Sequence, residues 1–89
     1  MRKIDVYKRA EKFIRKLPPK QTRQVIAKIT ALAENAEPPD TIVLKGHEPL
    51  RRADIGEYRI IYFTEPTILH IILVGKRNDD EVYKQLKRL

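Results

Sequence analysis

The sequence predicts an α+β domain: an N-terminal strand, a helical hairpin, a three-stranded antiparallel meander and a short C-terminal helix. Three observations carry that reading. Ala10, Phe13, Ile14 and Leu17 fall at the i, i+3, i+4, i+7 spacing of one helix face, and Val25, Ile29, Leu32 and Ala33 continue as a second apolar stripe. The second half of the chain then changes to short β-branched and aromatic runs separated by turn residues. Ile68 through Val74 is nearly continuous apolar sequence broken by His70, the mark of a central strand covered on both faces. Helices packed on a small, mainly antiparallel sheet are the layer arrangement these elements allow.

Taken in order, Ile4 and Val6 alternate with Asp5, which suits a short strand over residues 2–7. Pro18-Pro19 stops the first helix and opens the second, because proline is tolerated in a first turn. Ile26 lies on the flank of the second helix, and Pro38-Pro39 end it. Residues 36–49 read as a linker within the domain, with Ile42, Val43 and Leu44 pinning the crossing to the core. Strands are expected at 50–54, 57–64 and 67–75, the last two joined by a turn at Glu65-Pro66. Asp79-Asp80-Glu81 offers acidic capping chemistry to a terminal helix. That helix carries Val82, Leu86 and Leu89 on one side and Lys84, Lys87 and Arg88 at its end.

Eighty-nine residues are expected to form one domain, 1–89. A chain of this size buries only about 60–65% of its unfolded surface, so its core is modest and leaves room for a stabilising partner. The net charge of +7 lies wholly in the first third. Residues 1–35 hold ten basic and three acidic side chains, whereas residues 36–89 hold nine of each. A charge run on a helix is most often a solvated face, but this segregation favours nucleic acid or an acidic protein as a partner. Lys12, Lys16, Lys20 and Arg23 are the helical cations placed in such an interface. No apolar run is long enough to span a membrane, and Met1-Arg2-Lys3-Ile4-Asp5 lacks the apolar stretch of a signal peptide, so a cytoplasmic location is expected.

The composition also excludes several chemistries. The chain has no cysteine and no serine, hence no disulfide, no zinc–thiolate site and no serine triad. Gly46, Gly56 and Gly75 are wrongly spaced for a phosphate-binding loop, and two isolated histidines make a poor metal site, so neither metal nor cofactor is expected. His47 reads as an exposed loop residue and His70 as a residue filling a place in the sheet.

What remains is cationic. Arg59 sits mid-strand among Ile60, Ile61 and Phe63, where a charge needs either a partner (Glu57 or Asp54) or an open groove. Lys76 and Arg77 end the long apolar strand, and Tyr83 follows on the terminal helix. Singly each has an ordinary structural explanation. Together they suit a grip on a phosphodiester, since arginine clamps phosphate oxygens bidentately and tyrosine stacks on an extruded base. RNA cleavage needs no metal if the substrate's 2′-hydroxyl attacks the adjacent phosphorus. A cluster of Lys45, Arg51, Arg52, Arg59, Lys76 and Arg77 would lower one member's pKa by mutual repulsion and so supply a base.

The blocks Leu44-Lys45-Gly46, Arg52, Gly56-Glu57-Tyr58-Arg59-Ile60-Ile61-Tyr62 and Val74-Gly75-Lys76-Arg77 through Val82-Tyr83 resemble the RelE branch of the RelE/ParE toxin superfamily. The hairpin segment Ala10-Glu11-Lys12-Phe13-Ile14-Arg15-Lys16-Leu17-Pro18 joins them, so the likeness covers essentially the whole chain. It implies a RelE-like fold and a type II toxin that cuts messenger RNA in the ribosomal A site by metal-independent 2′-hydroxyl attack. It assigns Arg59 and Arg77 to binding and activating the phosphate, Tyr83 to orienting the substrate and Arg52 to a further cationic position. Lys45, Arg51 and Lys76 would assist in binding RNA or ribosome. The implied partners are the ribosome and a cognate RelB-like antitoxin, which would wrap the toxin in a hetero-oligomer and displace the helix around Tyr83. Two departures stand out: Leu50 occupies a place where a lysine, the proposed general base, is often found, and Asp54 falls where a basic residue is usual. Lys45, Arg51 and His47 are the groups left to stand in for the base. The alternatives are a ParE-like inhibitor of DNA gyrase and a non-catalytic member that binds only its antitoxin.

Overall fold

The computed structural model describes residues 1–78 and 81–87. Eight elements follow in order: β1 (Lys3–Val6), α1 (Lys8–Arg15), α2 (Pro19–Glu34), β2 (Thr41–Val43), β3 (Arg51–Ile55), β4 (Tyr58–Thr64), β5 (Ile68–Lys76) and α3 (Glu81–Lys87). The strands form one sheet in the order β1-β5-β4-β3-β2, antiparallel throughout except where β1 lies parallel to β5. The predicted α+β class is the one observed, and the predicted elements occur in the expected order with one strand added.

Local chemistry explains the helical layer. Pro19 opens α2 at its first position, where no intrahelical donor is needed. The Thr22 hydroxyl lies 3.3 Å from both the Ile14 and Leu17 carbonyls at the end of α1. Its single proton is shared between a carbonyl in the last turn of α1 and that of the connecting Leu17, which ties the first turn of α2 to the end of α1. The stripe read from the sequence is the buried one: Ala10, Ile14, Val25, Ile29, Leu32 and Ala33 pack on Ala53, Ile60, Tyr62, Leu69, Ile71 and Val74 of the sheet. The buried Tyr62 hydroxyl donates to the Ala36 carbonyl at 2.6 Å, anchoring the chain just beyond α2. Ile26 remains exposed.

The other face of the sheet is covered by α3. Val82 and Leu86 pack with Leu44, Ile61, Ile72 and Leu73, and Leu50, Phe63 and Tyr83 border that smaller cluster. A register shift between Ile61 and Tyr62 keeps Tyr62 and Ile71 on the large core while Ile61, Ile72 and Leu73 serve the small one. The meander has four strands, not three. Thr41–Val43, expected within a linker, forms an edge strand beside β3. Three residues are too few to show a period, and the preceding Pro38-Pro39 reads as loop. Ile42 and Val43 are 48% and 45% exposed, so they do not pin the crossing to the core; only Leu44 does. The expected cap residues Asp79 and Asp80, and the helix-end residues Arg88 and Leu89, lie outside the described residues. Among the described residues no helix is long and apolar enough to cross a membrane.

α3 comes close to the sheet at Gly75, where an added Cβ would collide with the Val82 Cγ2 methyl. The contact needs a residue without a side chain. Gly75→Ala should destabilise the fold by roughly 1–3 kcal/mol through overpacking. In a urea-denaturation double-mutant cycle, Val82→Ala should recover part of that loss; additive losses would show that the two positions do not meet.

Candidate phosphate site on the face beneath α3

Alternation along β3 and β4 decides which side chains share this face. Ala53, Ile60 and Tyr62 point to the large core, so Arg52, Asp54, Arg59 and Ile61 point to the opposite side. Gly56 has a φ of +57° and is the first of two turn residues, which sets Asp54 directly across from Arg59. Gly75 lies across from Arg59 on β5, and Arg77 continues that row, its backbone N–H donating to the Glu57 carbonyl at 2.7 Å.

Arg59 is the centre of the arrangement. Its side chain is 12% exposed and is held on two sides. Nε and Nη2 donate to the two carboxylate oxygens of Asp54 at 2.8 and 3.2 Å. Nη1 donates to the Tyr83 hydroxyl at 2.7 Å, and the guanidinium carbon stands 5.7 Å from the tyrosine ring centroid. Arg52 Nη1 donates to the same hydroxyl at 3.1 Å. A phenol oxygen on α3 thus accepts from two guanidinium groups on two strands. The hydrogen bond from Arg59 holds the Asp54 carboxyl below its ordinary range against the opposing cost of burial, and the charges of Arg52 and Arg77 add to the effect. The bond to Asp54 likewise raises Arg59, with Tyr83 contributing.

Of the two partners the sequence offered Arg59, Asp54 is the one used; Glu57 is in the turn. The Asp54 pairing was readable from a two-residue turn at Gly56-Glu57, which makes residues 54 and 59 direct neighbours on one face. The structure unites Arg52, Arg59 and Tyr83 by direct bonds and places Arg77 within electrostatic reach of Asp54.

Other members of the expected cation cluster lie elsewhere. Arg51 is one residue from Arg52 and therefore on the opposite face, where Nη2 donates to the Thr41 hydroxyl at 3.1 Å and the guanidinium pairs with Glu37 at 3.9 Å. It lines an open cleft of about 300 Å³ with Glu37, Val43, Glu48, Pro49 and Thr64. Lys76 pairs in register with Tyr58, a residue of the large core, so it too falls on the helical side. Lys45 and His47 are exposed in the loop between β2 and β3. Lys12, Lys16, Lys20 and Arg23 are exposed on the helical layer, across the sheet from Arg59. Mutual repulsion among six cations therefore does not operate; the assembled group is Arg52, Arg59 and Arg77 around one carboxylate. Leu50 borders the small core and presents no base. His70 fills its expected place in the sheet, stacked on Phe63 with centroids 4.4 Å apart and bonded to Glu65.

A sheet with a helical hairpin on one face and a short helix over a cluster of arginines on the other is an architecture shared with known proteins. Residues 4–81 match the family described as ParE toxin of type II toxin-antitoxin system, parDE, and the chain belongs to that family within the RelE/ParE superfamily. Solved RelE toxins share the fold. An Escherichia coli RelE carrying two arginine-to-alanine substitutions, in the free state, is 26% identical with a TM-score of 0.79, covering 99% of this chain and 97% of that one. RelE in the archaeal RelE–RelB complex of Pyrococcus horikoshii is 25% identical with a TM-score of 0.74, over 85% of this chain and 94% of that one. A chain of the intact E. coli RelBE toxin-antitoxin complex is 24% identical with a TM-score of 0.75, over 85% and 96%. Comparison with curated proteins finds no match.

The lowered Asp54 pKa makes a signed prediction. A depressed carboxylate stabilises the fold above its unfolded pKa, and that contribution disappears as pH falls through the folded value. Asp54 is about a third exposed, so solvent screening limits the contribution to about 1 kcal/mol. Asp54→Asn should therefore be less stable than the natural chain at pH 7. The gap should close as pH drops below about 4. Thermal melts at both pH values check this, and a gap independent of pH would show that charge is not its source.

Proposed function

We propose that this type II toxin is a ribosome-dependent endoribonuclease that inhibits translation by cutting messenger RNA in the A site. The observation that carries the reading is the convergence of Arg52 and Arg59 on the Tyr83 hydroxyl, with Arg77 bordering the same face. Phosphoryl chemistry without a metal needs an aligned nucleophile and neutralisation of the charge that builds on the phosphorane oxygens. In this reading Arg59 on β4 and Arg77 just beyond β5 bind two such oxygens, Arg59 exchanging its bond to Asp54 for one of them. Tyr83 orients the nucleotide, and Arg52 holds Tyr83. The 2′-oxygen attacks phosphorus as its proton passes to water, the bond to the 5′-oxygen breaks, and that oxygen takes a proton from water, leaving a 2′,3′-cyclic phosphate and a 5′-hydroxyl. A positioned base contributes typically 10²–10⁴-fold, and no lysine stands at position 50 to supply it. Dependence on the ribosome fits such a site, because a strand held in line supplies alignment that the chain's own residues do not. Cations on the helical layer would add sequence-independent, salt-sensitive affinity for ribosomal RNA.

The partner in this reading is a cognate antitoxin of the RelB kind. Two of the structures named above, the archaeal one and that of intact E. coli RelBE, are toxin-antitoxin complexes, which supports a hetero-oligomer here. Because Tyr83 reaches Arg52 and Arg59 only while α3 is seated, a partner segment that displaced α3 would dismantle the site. A second reading, inhibition of DNA gyrase without RNA chemistry, draws its support from the ParE name of the matching family.

Primer extension across an abundant message after brief induction tests the two together. Cuts within translated codons are expected, and Arg59→Ala or Arg77→Ala should reduce them by about 10²-fold or more. Unchanged cutting in both variants would remove these residues from the site. Intact message with arrested growth and blocked gyrase supercoiling would favour the second reading.

A further inference from the structure

The site already contains an anion. Asp54 lies directly opposite Arg59, and its two oxygens accept from Nε and Nη2, the same paired edge by which a guanidinium holds two phosphate oxygens. The charges of Arg52 and Arg77 act on the same carboxylate. Tyr83 occupies the remaining terminal nitrogen of Arg59. A phosphodiester arriving here meets an arginine whose bidentate edge is taken and a fixed negative charge beside it. We propose that Asp54 is the specificity-determining residue of this site: a resident carboxylate that phosphate must displace from Arg59. Weakly held, freely diffusing RNA is then rejected, and a strand already fixed in position by a larger assembly competes successfully. This inference rests on reading the face as a phosphate site.

The alternative is that Asp54 merely aims Arg59, and the two roles differ in sign. Asp54→Asn keeps the shape and removes the charge, while Asp54→Glu keeps the charge. The probes are inorganic phosphate, followed through the arginine Nε–H resonances, and a short single-stranded oligoribonucleotide, followed by fluorescence anisotropy, both without ribosomes. Asp54→Asn should bind each probe about tenfold or more tightly than the natural chain, by relief of like-charge repulsion in a partly shielded site. Its oligonucleotide affinity should also fall more steeply with salt, by about 0.7 in the logarithmic slope for each further phosphate neutralised. Asp54→Glu should bind no more tightly than the natural chain. Should Asp54→Asn prove too unstable to assay, Asp54→Ser carries the same expectation. Equal or weaker binding by the neutral variant, with a melting curve showing it folded, would overturn the proposal. Arg77→Ala separates the two levels: if it weakens phosphate binding while Asp54→Asn fails to strengthen it, only the role of Asp54 falls. If phosphate binding ignores both Arg59→Ala and Arg77→Ala, the phosphate-site reading falls with it.

Discussion

A guanidinium near the start of a central strand, enclosed by its neighbours, must be satisfied, and most of the face beneath α3 follows from how that is done. Arg59 sits on β4, flanked by β3 and β5, with an aromatic residue from α3 above it. An unpaired charge so nearly buried would cost several kcal/mol. The turn at Gly56 delivers a carboxylate from β3, and the seating of α3 delivers a phenol oxygen. Arg52 shares that oxygen, so two strands and a helix are tied through one hydroxyl. The same bonds that make the charge tolerable also concentrate cationic groups around a shallow surface, which is what recognition of a phosphodiester requires.

Much of this was legible in the sequence, because the elements involved are long enough to show their period. The apolar stripes of α1 and α2, the continuous run of β5 and the double proline between helices each have one structural interpretation. Residue type, spacing and a family likeness drew attention to Arg59, Arg77 and Tyr83, and the structure joins Arg59 to Tyr83. What escaped were features set by tertiary geometry. β2 is three residues long with its apolar side chains outward, so neither length nor pattern reveals it. Arg51 and Lys76 are adjacent in sequence to Arg52 and Arg77 but project from the opposite face, as successive residues in a strand must. Counting cations along the chain merged two populations that the sheet separates.

That separation gives the molecule two electrostatic surfaces of different character. The helical layer carries most of the excess positive charge on exposed lysines and arginines, suited to long-range attraction of a polyanion and readily screened by salt. The face beneath α3 has few charges, partly shielded and paired at short range. Under the proposed function, attraction and chemistry would fall on opposite sides of a sheet one layer thick, and a ribosomal site enclosing the protein would touch both.

The parallel pairing of β1 with β5 links residues near the start of the chain to residues near its end. Lys3 through Val6 have no strand to join until Ile68 through Ile71 have been synthesised, and Tyr83 lies beyond those again. The sheet consequently cannot close around its core while the last third of the chain is still being made, and closing so long a loop is among the slower steps in folding. A nascent chain has neither its edge strand nor its tyrosine in place. The topology acts as a timer: the face around Tyr83 assembles only after the ribosome has passed the residues that complete the sheet.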